Sequence, residues 1–165
     1  MKKAVFLDRD GVINEDSGYV SKISDFKFIN GVFEALRGFK ELGYLLIIVT
    51  NQSGISRGFY TLKDFENLNK FMLSEFEKNG IEIKKVYFCP HSPEENCECR
   101  KPKAGMILAG IKEFDIDVSK SILIGDKPSD IEAANVANLG NAYQIGKDGN
   151  SLKEIYEMIK EKLWK

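Results

Sequence analysis

The sequence has no long hydrophobic run and almost no net charge. Its longest uninterrupted apolar run extends from Tyr44 to Val49, far short of the roughly 20 residues that span a bilayer. The first ten residues, MKKAVFLDRD, contain no cleavable apolar segment, so we expect a cytoplasmic protein without a membrane partner. Lys and Arg total 24 against 25 Asp and Glu, a net charge of -1. This balance argues against nucleic acid as the main partner.

Cysteine and histidine are scarce, but the few present are crowded together. The three cysteines and the one histidine of the sequence all lie within residues 89–99. An odd number of cysteines without a signal peptide disfavours a disulfide framework. The pattern C-x-H-x5-C-x-C therefore predicts a metal site whose ligand types and spacing fit zinc, with reduced free thiols as the alternative. The candidate ligands are Cys89, His91, Cys97 and Cys99.

The composition and patterning are those of a globular α/β protein. With 165 residues, 43% hydrophobic and 30% charged, the chain is expected to form one domain over residues 1–165, and we expect a monomer. Short apolar runs predict buried strands at 4–7, 44–49, 85–88 and 121–125, and a weaker strand at 141–145. Amphipathic stripes predict helices at 31–43, 61–79, 104–114, 128–138 and 151–162. This alternation predicts a three-layer, Rossmann-like α/β domain with a mostly parallel sheet and no separate cap domain.

Polar residues follow three of the predicted strands. Asp8 and Asp10 end the first, Thr50 to Gly54 follow the second, and Asp126 ends the fourth. Residues i and i+2 of an extended segment point to the same side, so both aspartates of the first cluster can face one crevice. Carboxylates so close repel each other unless a cation lies between them, and a hard divalent ion such as Mg²⁺ suits oxygen ligands. An isolated D-x-D would otherwise be only a turn after a strand.

The second cluster is suited to an anion. A glycine-flanked turn with a Thr hydroxyl and free backbone amides, as at Thr50 to Gly54, binds phosphate oxygens, although such a segment is also an ordinary turn. Lys101 lies just beyond the cysteine-rich window and offers the positive charge that would complete the site. Carboxylates, a divalent cation, a hydroxyl and a lysine together indicate phosphoryl transfer through an aspartyl-phosphate intermediate.

These motifs, in this order, resemble those of the haloacid dehalogenase-like phosphatases. Within that family the chain is similar to the branch that acts on heptose bisphosphates and on histidinol phosphate, and the resemblance covers almost the whole sequence. The motifs are Asp8-Arg9-Asp10-Gly11, Thr50-Asn51-Gln52-Ser53-Gly54, Cys89 through Pro102, and Gly125-Asp126-Lys127 with Asp130.

The resemblance implies a role for each matching residue. Asp8 would be the nucleophile, and Asp10 the general acid that protonates the leaving oxygen and then activates water. Mg²⁺ would be bound by the carboxylates of Asp8 and Asp126 and by the backbone carbonyl of Asp10. Thr50 and Lys101 would hold the transferring phosphoryl group. The implied substrate contacts are Asp16, Ser17, Gly18, Tyr19, Thr50, Asn51, Gln52, Ser53, Arg100, Lys101 and Lys127.

The resemblance also implies a structural, four-ligand Zn²⁺ site in the cysteine-rich window and a small phosphorylated substrate. A sugar bisphosphate such as heptose 1,7-bisphosphate is preferred over histidinol phosphate, because Arg100 and Lys127, with Arg57 as a weaker candidate, remain available for a second anion. Histidinol phosphate carries a cationic amine that those groups repel. A phospho-receiver domain and a zinc-dependent binding module are the rival interpretations. Asp130 is either a first-turn helix carboxylate or a residue that supports the site.

Overall fold

The computed structural model describes residues 1–164, and this part of the chain contains five strands and five α-helices. The strands are β1 (Lys3–Leu7), β2 (Tyr44–Asn51), β3 (Lys85–Cys89), β4 (Ile122–Gly125) and β5 (Asn141–Gln144). The helices are α1 (Val32–Glu41), α2 (Leu62–Lys78), α3 (Gly105–Phe114), α4 (Pro128–Val136) and α5 (Leu152–Leu163). Single turns of 3₁₀ helix occupy Ile23–Asp25, Pro93–Glu95 and Val118–Lys120. Within residues 1–164, none of the helices has the length and apolar character needed to cross a bilayer.

The five strands form one sheet in the order β3-β2-β1-β4-β5. Every neighbouring pair is parallel, and Leu7 at the end of β1 lies beside Ile48 of β2 and Ile124 of β4. The chain runs outward from β1 through β2 to β3, then returns to the other side of β1 with β4. This reversal opens a crevice at the carboxyl ends of β1 and β4, where ligands bind in open parallel sheets. The predicted α/β fold is confirmed.

The helices cover both faces of the sheet. On one face, Val5, Leu46 and Ile124 pack in a buried cluster with residues of α1, α2 and α5. On the other face, Phe6, Ile47 and Leu123 pack with residues of α3 and α4. The central strands are therefore buried on both sides, which explains their continuous apolar sequences. The three-layer prediction is confirmed.

Two local features extend what the sequence pattern predicted. Thr61 caps α2, since its hydroxyl accepts from the Asp64 amide at 3.0 Å and the Asp64 carboxylate accepts from the Thr61 amide at 2.9 Å. The segment between β1 and α1 is more ordered than an irregular loop, because its two arms hydrogen-bond to each other. The Glu15 amide donates to the Lys27 carbonyl at 2.9 Å, and the Ile29 amide donates to the Ile13 carbonyl at 2.9 Å.

Candidate active site

Asp8 follows β1 directly and forms a buried ion cluster with Lys101 and Asp130. The Lys101 Nζ lies 3.0 Å from Asp8 Oδ1 and 2.6 Å from Asp130 Oδ1. It also donates to the Val49 carbonyl at 2.8 Å. None of the three charged residues is more than 7% exposed. The lysine thus has three oxygen partners, and its position relative to the end of β1 is fixed.

The burial of this cluster changes how its members ionise. Burial raises the pKa of Asp8 to about 8 although Lys101 opposes the change, and the nearby Asp130, Asp126 and Asp10 raise it further. Burial alone would lower the pKa of Lys101, but the charges of Asp8 and Asp130 outweigh it and the net direction is upward. Burial also raises the pKa of Asp126, with a further contribution from Asp130. Asp8 and Asp126 therefore hold a proton more readily than an isolated aspartate does, because Lys101 alone does not compensate for the negative charge of the carboxylates.

A divalent cation fits this excess of negative charge. Carboxylate oxygens of Asp8, Asp126 and Asp130 lie within 4.8 Å of one another. Asp130 already accepts from the backbone amides of Asp126 and Lys127, each at 3.1 Å, besides its contact with Lys101. In contrast, Oδ1 of Asp126 is buried with no hydrogen-bond partner in the described part of the chain. Asp8 and Asp126 are therefore the carboxylates free to bind a hard cation.

The Asp10 side chain lies outside this carboxylate cluster and has its own partners. Its Oδ1 accepts from Arg9 Nε at 3.0 Å and from Asn14 Nδ2 at 2.9 Å. Its Oδ2 is 3.4 Å from Gln52 Nε2. Two aspartates that are separated by one residue thus stand in different surroundings, one beside an ammonium and the other beside a guanidinium.

The last two residues of β2 and Gln52, which follows them, support both the ion cluster of Asp8 and the side chain of Asp10. The Gln52 side chain donates to the Thr50 hydroxyl at 2.9 Å and accepts from the Tyr60 hydroxyl. The Asn51 side chain brackets the backbone of Lys101, since its Oδ1 accepts from the Lys101 amide at 3.0 Å and its Nδ2 donates to the Lys101 carbonyl at 3.2 Å. Thr50 to Gln52 therefore connect the second strand to both charged centres.

A cleft of about 550 Å³ opens at this edge of the sheet. Among the residues expected to contact substrate, it is lined by Asp16, Tyr19, Asn51, Gln52, Ser53, Arg100, Lys101 and Lys127. Ser17, Gly18 and Thr50, which were also expected to contact substrate, are not among the residues that line the cleft in the described part of the chain. The structure adds residues to this lining that were not predicted or were weaker candidates, namely Arg57, Tyr60, Pro93, Pro102 and Ser129.

The cysteine-rich window forms a second cluster beside the cleft. Metal-ligating atoms of Cys89, His91, Cys97 and Cys99 all lie within 4.8 Å of one another. His91 Nδ1 is 3.4 Å from the Cys89 sulfur and 3.3 Å from the Cys99 sulfur, and the Cys97 sulfur is 3.5 Å and 3.6 Å from those same two sulfurs. Thiolates bound at about 2.3 Å in a tetrahedral zinc site are about 3.8 Å apart. Most of these distances are close to that spacing.

One pair in this cluster differs from the expectation that the cysteines form no disulfide. The sulfurs of Cys89 and Cys99 are in direct contact, in the pairing that a disulfide would have, and Cys97 is not part of this pair. The end of β3 and the turn at 97–100 bring their Cα atoms to 5.7 Å, a separation that permits such a bond. The sequence pattern located the cluster correctly but did not indicate this pairing.

The structure also resolves or adds roles that the sequence pattern left open. Asp130 is both a helix-capping carboxylate and a partner of Lys101, so neither of its two interpretations is complete alone. Arg9 and Tyr60 are buried beside Asp10 and Gln52, and neither was singled out from the sequence. The position of Arg9 between two aspartates was a usable signal, because a buried Arg requires a nearby carboxylate. No local pattern marks Tyr60.

The fold and this site define a class of protein: a parallel α/β phosphoryl-transfer enzyme with its candidate nucleophile at the end of the first strand. The sequence model of the polynucleotide kinase 3 phosphatase family matches residues 3–148. The chain is 52% identical to D-glycero-alpha-D-manno-heptose-1,7-bisphosphate 7-phosphatase of Campylobacter jejuni, over 97% of each chain. It is 54% identical to the beta-heptose enzyme of Helicobacter pylori strain 26695, over 84% of this chain and 81% of the relative.

Solved structures show the same fold. D,D-heptose 1,7-bisphosphate phosphatase from B. bronchiseptica superposes with a TM-score of 0.88 at 24% identity, over 97% of this chain and 99% of that one. A HAD-like phosphatase from Mesorhizobium loti superposes with a TM-score of 0.80 at 30% identity, over 87% and 72% of the two chains. The chain belongs to the haloacid dehalogenase-like phosphatases, in the family that the polynucleotide kinase 3 phosphatase model describes. It is a phosphatase of that family.

Replacing Asp130 with Ala tests whether the buried ion cluster stabilises the fold. The variant leaves Lys101 with one carboxylate and leaves the amides of Asp126 and Lys127, just before α4, without their acceptor. Removal of one partner from a buried ion pair costs about 3 kcal/mol or more. We expect a loss of that size in the free energy of unfolding, measured by urea denaturation. Asp25→Ala, at an exposed position, is the matched control and should change stability by no more than about 0.5 kcal/mol. Similar losses in the two variants would contradict the interpretation.

Proposed function

We propose that this protein hydrolyses a phosphate monoester through an aspartyl-phosphate intermediate, with Asp8 as the nucleophile. The observation that carries the proposal is the placement of Asp8 at the sheet crevice, with Lys101 Nζ 3.0 Å away and Asp10 two residues on. A carboxylate and a cation in contact, with a second carboxylate two residues along the chain, support the constellation of nucleophile, cation and proton donor that phosphoryl transfer requires.

In the first half-reaction an Asp8 carboxylate oxygen attacks phosphorus and the bond from phosphorus to the leaving oxygen breaks. Asp10 donates its proton to that oxygen, so an alcohol departs and an acyl phosphate remains on Asp8. In the second half-reaction Asp10 takes a proton from water, whose oxygen attacks phosphorus. Inorganic phosphate leaves and the Asp8 carboxylate is restored. Thr50 would hold the transferring group by donating to its oxygens, and Lys101 would do the same by exchanging one of its present oxygen partners, Asp8, Asp130 or the Val49 carbonyl, for a phosphoryl oxygen.

The residues present suit Mg²⁺ as the catalytic cation, held by the carboxylates of Asp8 and Asp126 and by the Asp10 backbone carbonyl. The orphaned Oδ1 of Asp126 and the raised pKa of Asp8 support this assignment. When bound, such an ion neutralises the negative charge that the phosphate brings to the carboxylates and polarises the phosphoryl group. The B. bronchiseptica phosphatase of the same fold was crystallised with magnesium and phosphate.

We further propose a sugar bisphosphate as substrate, namely D-glycero-D-manno-heptose 1,7-bisphosphate cleaved at the 7-phosphate. The relatives from Campylobacter jejuni and Helicobacter pylori are named for that reaction. With Lys101 engaged by Asp8 and Asp130, the cleft retains Arg57, Arg100 and Lys127 for a second phosphate. Each charge-assisted hydrogen bond contributes roughly 1.5–3 kcal/mol, so two of them are enough for a preference above tenfold.

The four-residue cysteine and histidine cluster is proposed to hold a structural Zn²⁺ in the reduced protein. Its ligand atoms have near-tetrahedral spacing apart from the Cys89–Cys99 pair, and a histidine with three thiolates leaves no open position for a reactive water. The cluster also positions Arg100, whose amide donates to the Cys97 sulfur at 3.4 Å and whose Nη1 donates to the His91 carbonyl at 3.3 Å. The Zn²⁺ ion would therefore affect catalysis indirectly, by positioning Arg100 to contact the substrate, and would not contact the reacting atoms itself.

Asp8→Asn tests the nucleophile. The amide keeps the shape of the side chain but cannot attack phosphorus and weakens the cation site, so we expect phosphatase activity to fall by about 10³-fold or more. Phosphate release is measured with Mg²⁺ present, and circular dichroism checks the fold. Asp25→Asn, an exposed aspartate, should retain full activity. A variant within tenfold of the parent protein would exclude Asp8 as nucleophile.

The substrate assignment is tested by comparing kcat/KM for both anomers of heptose 1,7-bisphosphate, histidinol phosphate and a 3′-phosphorylated oligonucleotide. We expect a heptose bisphosphate to be preferred over the other two by at least about tenfold, because only it presents a small second anion to the basic cleft. Lys127→Met should raise KM for the bisphosphate and leave KM for p-nitrophenyl phosphate unchanged. A higher kcat/KM for histidinol phosphate or for the oligonucleotide would overturn the assignment.

Metal analysis together with intact mass tests the zinc site. Protein purified without chelator should carry about one zinc per chain and have the mass of the fully reduced chain. Cys97→Ser should lose the zinc and lower kcat/KM, because Arg100 loses its support. Glu94→Ala, on the same loop but with no ligand atom, should keep both. A zinc-free protein two hydrogens lighter would show instead that the Cys89–Cys99 disulfide is the native state.

A further inference from the structure

Arg9 lies between the two catalytic aspartates and is itself almost fully buried, with only 1% of the residue exposed. Its guanidinium carbon lies 5.8 Å from the ring centre of Phe26 and 5.9 Å from that of Phe65. Transferring a charged group to such surroundings is costly unless it is paired and fully hydrogen-bonded. Its polar partners therefore define what this residue does.

The guanidinium pairs with one oxygen of Asp10. Both Nε and Nη2 of Arg9 lie 3.0 Å from Oδ1, and Asn14 Nδ2 donates to the same atom at 2.9 Å. Oδ2 receives only the long 3.4 Å contact from Gln52 among the described residues. The two oxygens of this carboxylate are thus unequal, because Oδ1 accepts hydrogen bonds from Arg9 Nε and Asn14 Nδ2 and is in ion-pair contact with Arg9 Nη2, whereas Oδ2 remains available for a proton.

The same guanidinium is attached to the loop that borders the cleft. Nη2 of Arg9 donates to the Val20 carbonyl at 2.9 Å. Val20 is buried, whereas the residues just before it are exposed, and two of them, Asp16 and Tyr19, line the cleft. One rigid side chain therefore joins the proton-donor carboxylate to the base of the loop expected to contact substrate.

We propose that Arg9 is a positioning residue that holds Oδ1 of Asp10, so that Oδ2 faces the leaving oxygen of the substrate. The inference rests on the proposed function, in which Asp10 donates the proton as the bond from phosphorus to that oxygen breaks. The proton moves from Oδ2 to the departing oxygen, and Oδ1 keeps its hydrogen bonds throughout. Arg9 itself contacts no reacting atom.

The planar fork of Arg9 is needed for this role, and a lysine cannot replace it. A lysine at this position keeps the positive charge but offers a point charge without the fixed geometry that holds one carboxylate oxygen and one carbonyl at once. Arg9→Lys is therefore the informative variant, because it preserves the charge balance beside Asp8 and changes how Asp10 is oriented.

The test compares two esters of similar size that differ in their need for a proton donor. Phenolate is a much poorer leaving group than p-nitrophenolate, and kcat/KM reports the steps up to leaving-group departure. In Arg9→Lys we expect kcat/KM to fall about tenfold or more with phenyl phosphate and less than about threefold with p-nitrophenyl phosphate, within the range that general acids contribute. Arg37→Lys, an exposed arginine that also donates to a backbone carbonyl, should alter neither.

Equal losses with the two esters, or no loss with either, would overturn the proposal and assign Arg9 a merely structural role. If Arg9→Lys does not fold, the variant Asn14→Ser provides the test, because it removes the other side chain that donates to Asp10 Oδ1. The amide oxygen that Asn14 loses in this variant has no hydrogen-bond partner in residues 1–164. Its loss should also be selective for phenyl phosphate, and an equal loss on both esters overturns the inference. A parent protein inactive on every phosphate monoester would instead refute the proposed function.

Discussion

The buried ammonium group of Lys101 contacts the carboxylates of Asp8 and Asp130, a third carboxylate, that of Asp126, lies beside them, and this imbalance of charge governs the site. Mutual repulsion would push these side chains apart unless backbone and lysine held them. Hydrogen bonds provide this restraint: the Asp130 carboxylate accepts from two backbone amides just before α4, and the Asn51 side chain hydrogen-bonds to the backbone of Lys101. Gly11, with a positive φ of 87°, leaves space for the Asp126 carboxylate that a Cβ would fill. The scaffold thus maintains an arrangement of carboxylates that is suited to a cation.

The sheet order explains why these residues meet. β1 is central and its neighbours are β2 and β4, so Asp8, Thr50 and Asp126 emerge at adjacent strand ends although they are far apart in sequence. The cleft is lined largely by three connecting segments: the one after β1, the turn after β2 and the cysteine-rich window after β3. The first of these is braced by its own backbone pairing and the last by its cysteine and histidine cluster. Short segments can therefore shape a cleft, because each is anchored at its base.

Much of the fold and part of the site could be predicted from the sequence. Strand and helix identities follow from apolar periodicity, because burial on both faces demands continuous apolar runs such as 44–49. The acidic strand ends could be located for the same reason. The partners of long side chains could not be predicted. The contacts of Lys101 with Asp130 and of Arg9 with Val20 depend on the tertiary structure, and no local sequence pattern indicates them. The Cys89–Cys99 pairing could not be predicted either, because the spacing of the cysteines locates the cluster but does not indicate which two sulfurs come closest.

Asp8 and Asp10 show how one short sequence can supply two different chemical roles. Both follow the same strand, and their identical side chains cannot distinguish nucleophile from proton donor. The distinction lies in their neighbours: Asp8 faces an ammonium group and two further carboxylates, while Asp10 faces a guanidinium and two amide side chains. A carboxylate crowded by like charges is kept in place by cations and is suited to attack phosphorus. One restrained at a single oxygen presents the other oxygen for proton exchange, so the packing around each residue supports the two roles that we propose.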